Sequence, residues 1–156
     1  MSMETFTGSA LHTIDPKGRV FIPMVYREAL GSDFTIALNN DFRTIALYPK
    51  DFWKEKLQSY ACIPDVDRRG RHLVRHFTGN AYTGCNLDSQ GRILIPQELR
   101  TMFGLAGQKE IRFIGVGDVL EIWNPDRYHG LMYEPDELID SMLDYVYETY
   151  FSNRIQ

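Results

Sequence analysis

A motif that occurs twice in the chain constrains its fold more than any other feature of the sequence. Residues 15–31 (DPKGRVFIPMVYREALG) align with residues 88–104 (DSQGRILIPQELRTMFG) at an offset of 73. Seven of the 17 aligned positions are identical, where average residue usage would give roughly one identity by chance. The identical pairs are Asp15/Asp88, Gly18/Gly91, Arg19/Arg92, Ile22/Ile95, Pro23/Pro96, Arg27/Arg100 and Gly31/Gly104. We interpret the chain as a tandem duplication, because two widely spaced copies do not make a solenoid.

Each copy begins with the composition of a tight turn between two strands. The tetrads at 15–18 (DPKG) and 88–91 (DSQG) begin with Asp and end with Gly, which favours a type I turn whose final glycine has positive φ. Apolar, β-branched runs follow at 19–22 and 92–95 and predict returning strands. Each tetrad is therefore expected to form a hairpin loop with a bulge.

Local signals predict the same order of elements in the rest of both halves. Pro23 and Pro96 are expected to open short helices that end at Gly31 and Gly104. Apolar runs predict strands at 11–14, 34–38, 44–48, 82–87, 111–116 and 120–123, and helices at 49–60, 65–78 and 125–132. The predicted domains are a first repeat at 8–60, a linker helix at 61–80, a second repeat at 81–133 and a tail helix at 134–156.

The tail is predicted to be acidic and amphipathic. Acids at 140, 144 and 148 fall four residues apart, on one stripe of a helix, and apolar residues fill the opposite face. An apolar face of this width needs to be covered, either by the chain's own repeats or by a neighbouring subunit. The chain carries a net charge of −4. Residues 1–80 nevertheless hold 11 basic and 9 acidic side chains, so the first half can present a positive surface.

Several functional classes lack their characteristic residues. The sequence has no nucleophile paired with a base, no phosphate-binding loop and no dinucleotide fingerprint, so neither an enzyme nor a cofactor is expected. Cys62 and Cys85 are too few for a disulfide framework and are expected to be reduced thiols. His72 and His76 lie four apart without a third ligand nearby, so a solvated face or a subunit contact is favoured over a metal site. No apolar run of 18 residues and no signal peptide is present, so no membrane association is expected.

The paired Asp-x-x-Gly-Arg turns, each followed by Ile-Pro and a short helix that ends in Gly, resemble the MraZ family of bacterial transcriptional regulators of the division and cell wall gene cluster. The resemblance covers residues 8–133 and includes 67–81, 114–118 (IGVGD) and 120–123 (LEIW). It implies an α+β, β-rich fold with duplicated swapped-hairpin β-barrel halves of the SpoVT-AbrB type, short helices and a C-terminal helix. The sequence departs from the pattern at the uncharged pair 89–90, at Gly70, which is expected to interrupt the linker helix, and in the tail, which has no counterpart.

The resemblance also implies a function and partners. The expected function is that of a sequence-specific DNA-binding repressor of its own division and cell wall operon. The expected partners are double-stranded DNA with tandem direct repeats and further copies of the chain, assembled as a ring. The expected location is the cytoplasm, in association with the nucleoid. The alternative is a scaffold protein that keeps this fold without binding DNA, although the presence of Lys17 and Arg19 favours the regulator.

The predicted site consists of DNA-contacting residues and of residues that hold the turns. The former are Lys17, Arg19, Gln90 and Arg92, and the latter are Asp15, Gly18, Asp88 and Gly91. Arg19 can fork onto O6 and N7 of guanine, whereas Lys17 suits a phosphate. Asp15 is not expected to contact DNA, because phosphate repels a carboxylate. It is expected instead to cap turn N–H groups or to brace an arginine. A turn ion pair without further function is the alternative, above all for Arg92, whose loop carries less charge.

Overall fold

The computed structural model describes residues 5–132 and 135–152. The expected domain boundary at 133–134, the first four residues and the last four residues of the predicted tail lie outside these ranges. The first half contains β1 Ser9–Thr13, β2 Arg19–Phe21, α1 Met24–Leu30, β3 Phe34–Leu38, β4 Ile45–Tyr48 and α2 Lys50–Ser59. Helix α3, Arg68–Gly79, follows. The second half contains β5 Tyr82–Cys85, β6 Arg92–Leu94, α4 Gln97–Met102, β7 Glu110–Gly115, β8 Leu120–Trp123 and α5 Pro125–Met132.

The strands of the two halves are interleaved. A six-stranded sheet has the order β1-β7-β8-β4-β3-β5, and a separate two-stranded ribbon pairs β2 with β6. All of these pairings are antiparallel. Exchanging the repeats maps this strand order onto its own reverse, so the halves are related by a pseudo-twofold arrangement. The expected α+β, β-rich fold with short helices is confirmed, but over the described residues the sheet is not closed into a barrel.

Both predicted hairpin loops form with their glycine bulges, but beyond the loops the longer strands pair with the other half of the chain. The backbone N–H of Asp15 donates to the Arg19 carbonyl at 3.0 Å, that of Gly18 donates to the Asp15 carbonyl at 2.9 Å, and a bridge joins Ile14 to Val20. The second turn repeats the first two bonds, from Asp88 N–H to the Arg92 carbonyl at 2.9 Å and from Gly91 N–H to the Asp88 carbonyl at 3.0 Å. Strand β1 pairs with β7, and β2 pairs with β6. Consequently neither half completes a sheet by itself, and the duplication folds as one shared core.

The core is shared by both halves, and the aromatic side chains of the first half form one part of it. Every residue of β3 and β4 is buried, as expected for strands covered on both faces. Phe77 of α3 is fully buried. The centre of its ring lies 5.2 Å from the ring centre of Trp53, 5.5 Å from that of Tyr60 and 6.1 Å from that of Tyr48. Both tryptophans, Trp53 and Trp123, are buried. The linker helix is therefore fixed to the first half through Phe77.

Gly70 does not interrupt the linker helix, and this expectation was wrong. Helix α3 begins at Arg68 and continues through Gly70. The Asp67 side chain caps the helix by accepting a hydrogen bond of 3.0 Å from the Gly70 backbone N–H. A Cβ at position 70 would overlap the Ile63 side chain. The glycine therefore permits a close approach rather than a break.

The described residues from Asp126 onward belong to a second unit of the chain. It contains helix α6, Asp136–Val146, and a π-helical turn, Tyr147–Phe151. The large apolar side chains of α6 are all exposed, from 39% for Val146 to 63% for Leu143. None of the helices within 5–132 and 135–152 combines the length and apolar character needed to cross a membrane.

Candidate nucleic-acid interface

The first turn, which we call loop 1 (residues 15–19), is organised by the Asp15 carboxylate. This group accepts hydrogen bonds from the backbone N–H groups of Lys17 at 3.0 Å and Arg19 at 2.8 Å. It also accepts a hydrogen bond from Arg19 Nε at 2.7 Å. Gly18 closes the turn at φ +93°, a conformation that L side chains rarely adopt. Asp15 therefore holds both the backbone of the loop and its arginine.

The second turn, loop 2 (residues 88–92), repeats this geometry. The Asp88 carboxylate accepts hydrogen bonds of 2.9 Å from the backbone N–H groups of Gln90 and Arg92 and from Arg92 Nε. Gly91 closes the turn at φ +81°. Because two segments with different central residues build the same network, the network depends on the Asp, Gly and Arg that they share. In both loops the ion pair uses Nε, which leaves the two Nη nitrogens of the arginine for another partner.

Both carboxylates are stabilised in their charged form. Backbone hydrogen bonding to Arg19 is the largest cause that lowers the pKa of Asp15, and backbone hydrogen bonding to Arg92 does the same for the pKa of Asp88. A carboxylate whose pKa is lowered in the folded state stabilises the folded loop at pH values above the ordinary aspartate pKa. That contribution disappears as the pH falls through the pKa of the folded state.

We therefore expect the loops to keep their order across neutral pH and to loosen as the pH falls below the ordinary aspartate range. In an NMR titration of the side-chain carboxyl carbons, Asp15 and Asp88 should titrate below the ordinary aspartate value of about 3.9. The Asp15→Asn variant should also lose the protection of Arg19 Nε–H from exchange, because Asn has a single acceptor oxygen and the backbone N–H groups of Lys17 and Arg19 already bond to one carboxylate oxygen. Asp88→Asn, which leaves loop 1 intact, is the matched control. A midpoint for Asp15 at or above the ordinary value would contradict the bracing of Arg19.

The two loops lie at opposite ends of the β2–β6 ribbon. The backbone N–H of Ile22 donates to the Gly91 carbonyl at 3.0 Å, and that of Ile95 donates to the Gly18 carbonyl at 2.9 Å. Each loop is thus tied to the strand that follows the other loop. In the ribbon Arg19 is opposite Leu94 and Phe21 is opposite Arg92. Both loop arginines therefore project from the same face, about 7 Å apart along the strand direction.

Arg27 and Arg100 support the loops from behind, a role that sequence reasoning did not assign. Each is tied to the backbone by Nε, which donates to the carbonyl of Ile22 at 2.8 Å for Arg27 and of Ile95 at 3.0 Å for Arg100. The Arg100 guanidinium lies against Gly18 and that of Arg27 against Gly91, so a Cβ on either glycine would overlap them. The available signal was the identity of this arginine in both copies.

The structure brings the predicted residues together within each loop, and the loops differ in charge. Lys17 is exposed at the tip of loop 1, and Arg19 keeps 38% of its side chain exposed. Loop 2 offers Ser89 and Gln90 at its tip, and Arg92 is less accessible, with 22% of its side chain exposed. Loop 1 is consequently the more basic of the two.

The described residues include no cluster of three or more His, Cys, Asp or Glu side chains arranged to hold a metal ion. His72 and His76 are both exposed on α3, and the His76 ring packs edge-on against Phe42 at 5.4 Å. Arg68, Arg69, Arg71 and Arg75 lie exposed on the same helix. This basic surface is separate from the two loops in sequence and belongs to α3.

The duplicated turn is shared with known proteins. Residues 5–74 and 77–140 each match the family described as "MraZ protein, putative antitoxin-like". The second match extends into the tail, for which no counterpart was expected. The chain is 36% identical over 141 residues to the transcriptional regulator MraZ of Lachnoclostridium phytofermentans, which covers 90% of this chain and 96% of that protein.

Two further relatives carry the same name. The chain is 38% identical over 144 residues to the transcriptional regulator MraZ of Moorella thermoacetica, covering 90% of this chain and 98% of that protein. It is 41% identical over 119 residues to the transcriptional regulator MraZ of Desulfitobacterium hafniense, covering 76% of this chain and 80% of that protein. The similarity spans both repeats, and the role these names state is regulatory, not enzymatic. The chain belongs to the MraZ family.

Proposed function

We propose that this chain is a sequence-specific DNA-binding transcriptional regulator that engages DNA through loop 1. One observation carries the proposal: Asp15 holds Nε of Arg19 at 2.7 Å in a glycine-closed turn, and the ion pair leaves both Nη nitrogens for a DNA contact. A guanidinium fixed in this way matches O6 and N7 of guanine with little ordering on binding. The name of its relatives, transcriptional regulator, supports the same role.

The other loop residues have distinct parts in this proposal. Lys17, at the exposed tip, contacts a phosphate, because an ammonium group is a compact charge on a flexible stem. Gln90 and Arg92 form a second, weaker contact, since their loop has no lysine. Asp15, Gly18, Asp88 and Gly91 hold the loops and do not themselves contact DNA.

We further propose that the chain acts as a ring-shaped oligomer on tandem direct repeats, as a repressor of its own operon, in the cytoplasm and at the nucleoid. The pseudo-twofold strand order would allow two equivalent loops to read an inverted site. The loops are not equivalent, however, because one has Pro16 and Lys17 where the other has Ser89 and Gln90. Each subunit thus presents one strong contact, and identical subunits in a ring meet repeats of one orientation.

Lys17→Ala should weaken binding evenly across DNA sequences. Loss of one phosphate contact per engaged loop should reduce the slope of log K against log salt by about 0.9 per loop. Fluorescence anisotropy at a series of salt concentrations measures this slope. Gln90→Ala, at the equivalent uncharged position, is the matched control and should leave the slope unchanged. An unchanged slope for Lys17→Ala would remove this residue from the interface.

Changing the spacing between two repeats by half a helical turn should abolish cooperative binding. Identical loops of one ring then face opposite sides of the duplex, so the second contact no longer benefits from the first. Footprinting on DNA upstream of the chain's own coding region, with inserts of about 5 and about 10 base pairs, tests this. Equal protection with both inserts, or a palindromic footprint, would contradict the ring on direct repeats.

A further inference from the structure

The outward face of the β2–β6 ribbon alternates charged and apolar side chains. Arg19 and Phe21 project from β2, and Arg92 and Leu94 project from β6. The cross-strand register places Arg19 beside Leu94 and Phe21 beside Arg92. The ribbon face therefore contains two copies of one arrangement, an arginine next to an apolar side chain, related by the duplication.

The apolar pair on this face is exposed although the ribbon has a well-buried inner face. Val20 and Ile93 point inward and are 1% and 3% exposed to solvent, whereas Phe21 is 47% and Leu94 is 58% exposed. The Arg92 guanidinium carbon lies 5.7 Å from the centre of the Phe21 ring, within the range of a cation–π contact. Phe21 thus lies directly beside one of the proposed DNA-contacting groups.

The charge on this face favours DNA over a second copy as its occupant. Two copies packed through this face would bring four arginines together, and Asp15 and Asp88 already pair with the two arginines of each copy. A duplex instead offers phosphates to the arginines, and its major groove admits a two-stranded ribbon. Lys17 at the tip of loop 1 and Arg100 behind Gly18 add positive charge at one end of the ribbon.

We propose that Phe21 and Leu94 are specificity-determining residues that contact the 5-methyl groups of thymines beside the bases engaged by Arg19 and Arg92. This inference rests on the proposed DNA binding by the loops. The thymine methyl is the apolar group that the major groove displays, and apolar side chains read it by contact. Each arginine and the apolar side chain opposite it would then read a guanine and an adjacent thymine.

The first experiment is selection of binding sites from a random duplex library by the full-length protein. The wild-type protein should enrich sites in which thymine accompanies guanine. Phe21→Ala and Leu94→Ala should keep the guanine preference and lose the thymine preference. Phe21→Leu, which retains an apolar contact but removes the ring facing Arg92, should keep both preferences. Leu11→Ala, an exposed apolar residue on β1, is the surface control and should match the wild type.

The second experiment replaces thymine by deoxyuridine in the selected duplex, which removes only the 5-methyl group. Wild-type affinity should fall about fourfold for each contacted methyl, and the sensitivity should be reduced in Phe21→Ala and Leu94→Ala. Indifference of the wild type to deoxyuridine, or equal sensitivity of the alanine variants, would overturn the inference alone. A changed oligomer mass of Phe21→Ala by light scattering would assign the face to a copy contact instead. Failure of the wild type to enrich any sequence would overturn the proposed function as well.

Discussion

Replacing Arg19 by alanine should abolish specific DNA binding and leave the fold intact. The side chain is held at the surface of loop 1 by Asp15, so its loss creates no cavity in the core. A bidentate contact to guanine contributes about 1–3 kcal/mol of discrimination for each engaged loop. When several loops of one oligomer bind together, these losses compound through effective concentration. Anisotropy measures the affinity, and circular dichroism reports the fold.

Two variants give this prediction its controls. Arg92→Ala removes the same residue type from the equivalent position of loop 2 and should weaken binding less, because that loop lacks a lysine. Lys54→Ala removes one positive charge from the exposed surface of α2 and should leave specific binding unchanged. Wild-type affinity and specificity in Arg19→Ala would refute the assignment of loop 1 as the DNA contact.

Replacing Phe77 by alanine should destabilise the protein by about 3–5 kcal/mol, the usual range for removing a buried aromatic side chain. Phe77 is fully buried among the rings of Phe42, Tyr48, Trp53 and Tyr60. Its removal leaves a cavity between α3 and the first half. Urea denaturation measures the change, and the protein concentration is kept fixed so that the proposed oligomer would contribute equally to every variant.

Leu73→Ala is the matched control for this prediction. Leu73 lies one turn earlier on the same helix and keeps 41% of its surface exposed, so its replacement should have a much smaller effect. If Phe77→Ala destabilised the protein no more than Leu73→Ala, the aromatic cluster would not anchor the linker helix.

Local sequence signals predict the elements well because each has a local cause. The strand predicted at 34–38 is β3, and the helix predicted at 49–60 is α2, which begins after Pro49. The partners of the strands do not follow from local signals. Hydrophobic period indicates which face of a strand is buried, not which strand lies beside it. The pairing of β1 with β7 and of β2 with β6 therefore appears only in the structure.

The same distinction applies to the site. The turn residues follow from Asp and Gly at fixed positions, and Asp15 takes both roles expected for it, because it accepts from turn N–H groups and also braces Arg19. The contact of Arg100 with Gly18 crosses from one repeat to the other, as does the position of Phe21 beside Arg92. Such contacts depend on the pairing of strands from different repeats. That pairing cannot be predicted from residues that are close together in the sequence.

The most direct test of DNA recognition by loop 1 is one competition titration. The full-length protein is titrated onto a duplex from the region upstream of its own coding sequence, against a scrambled duplex of equal length and composition, at near-physiological salt. We predict that the wild type binds the upstream duplex at least about 10³-fold more tightly than the scrambled one, and that Arg19→Ala binds both equally. Equal affinity of the wild type for the two duplexes would contradict the account.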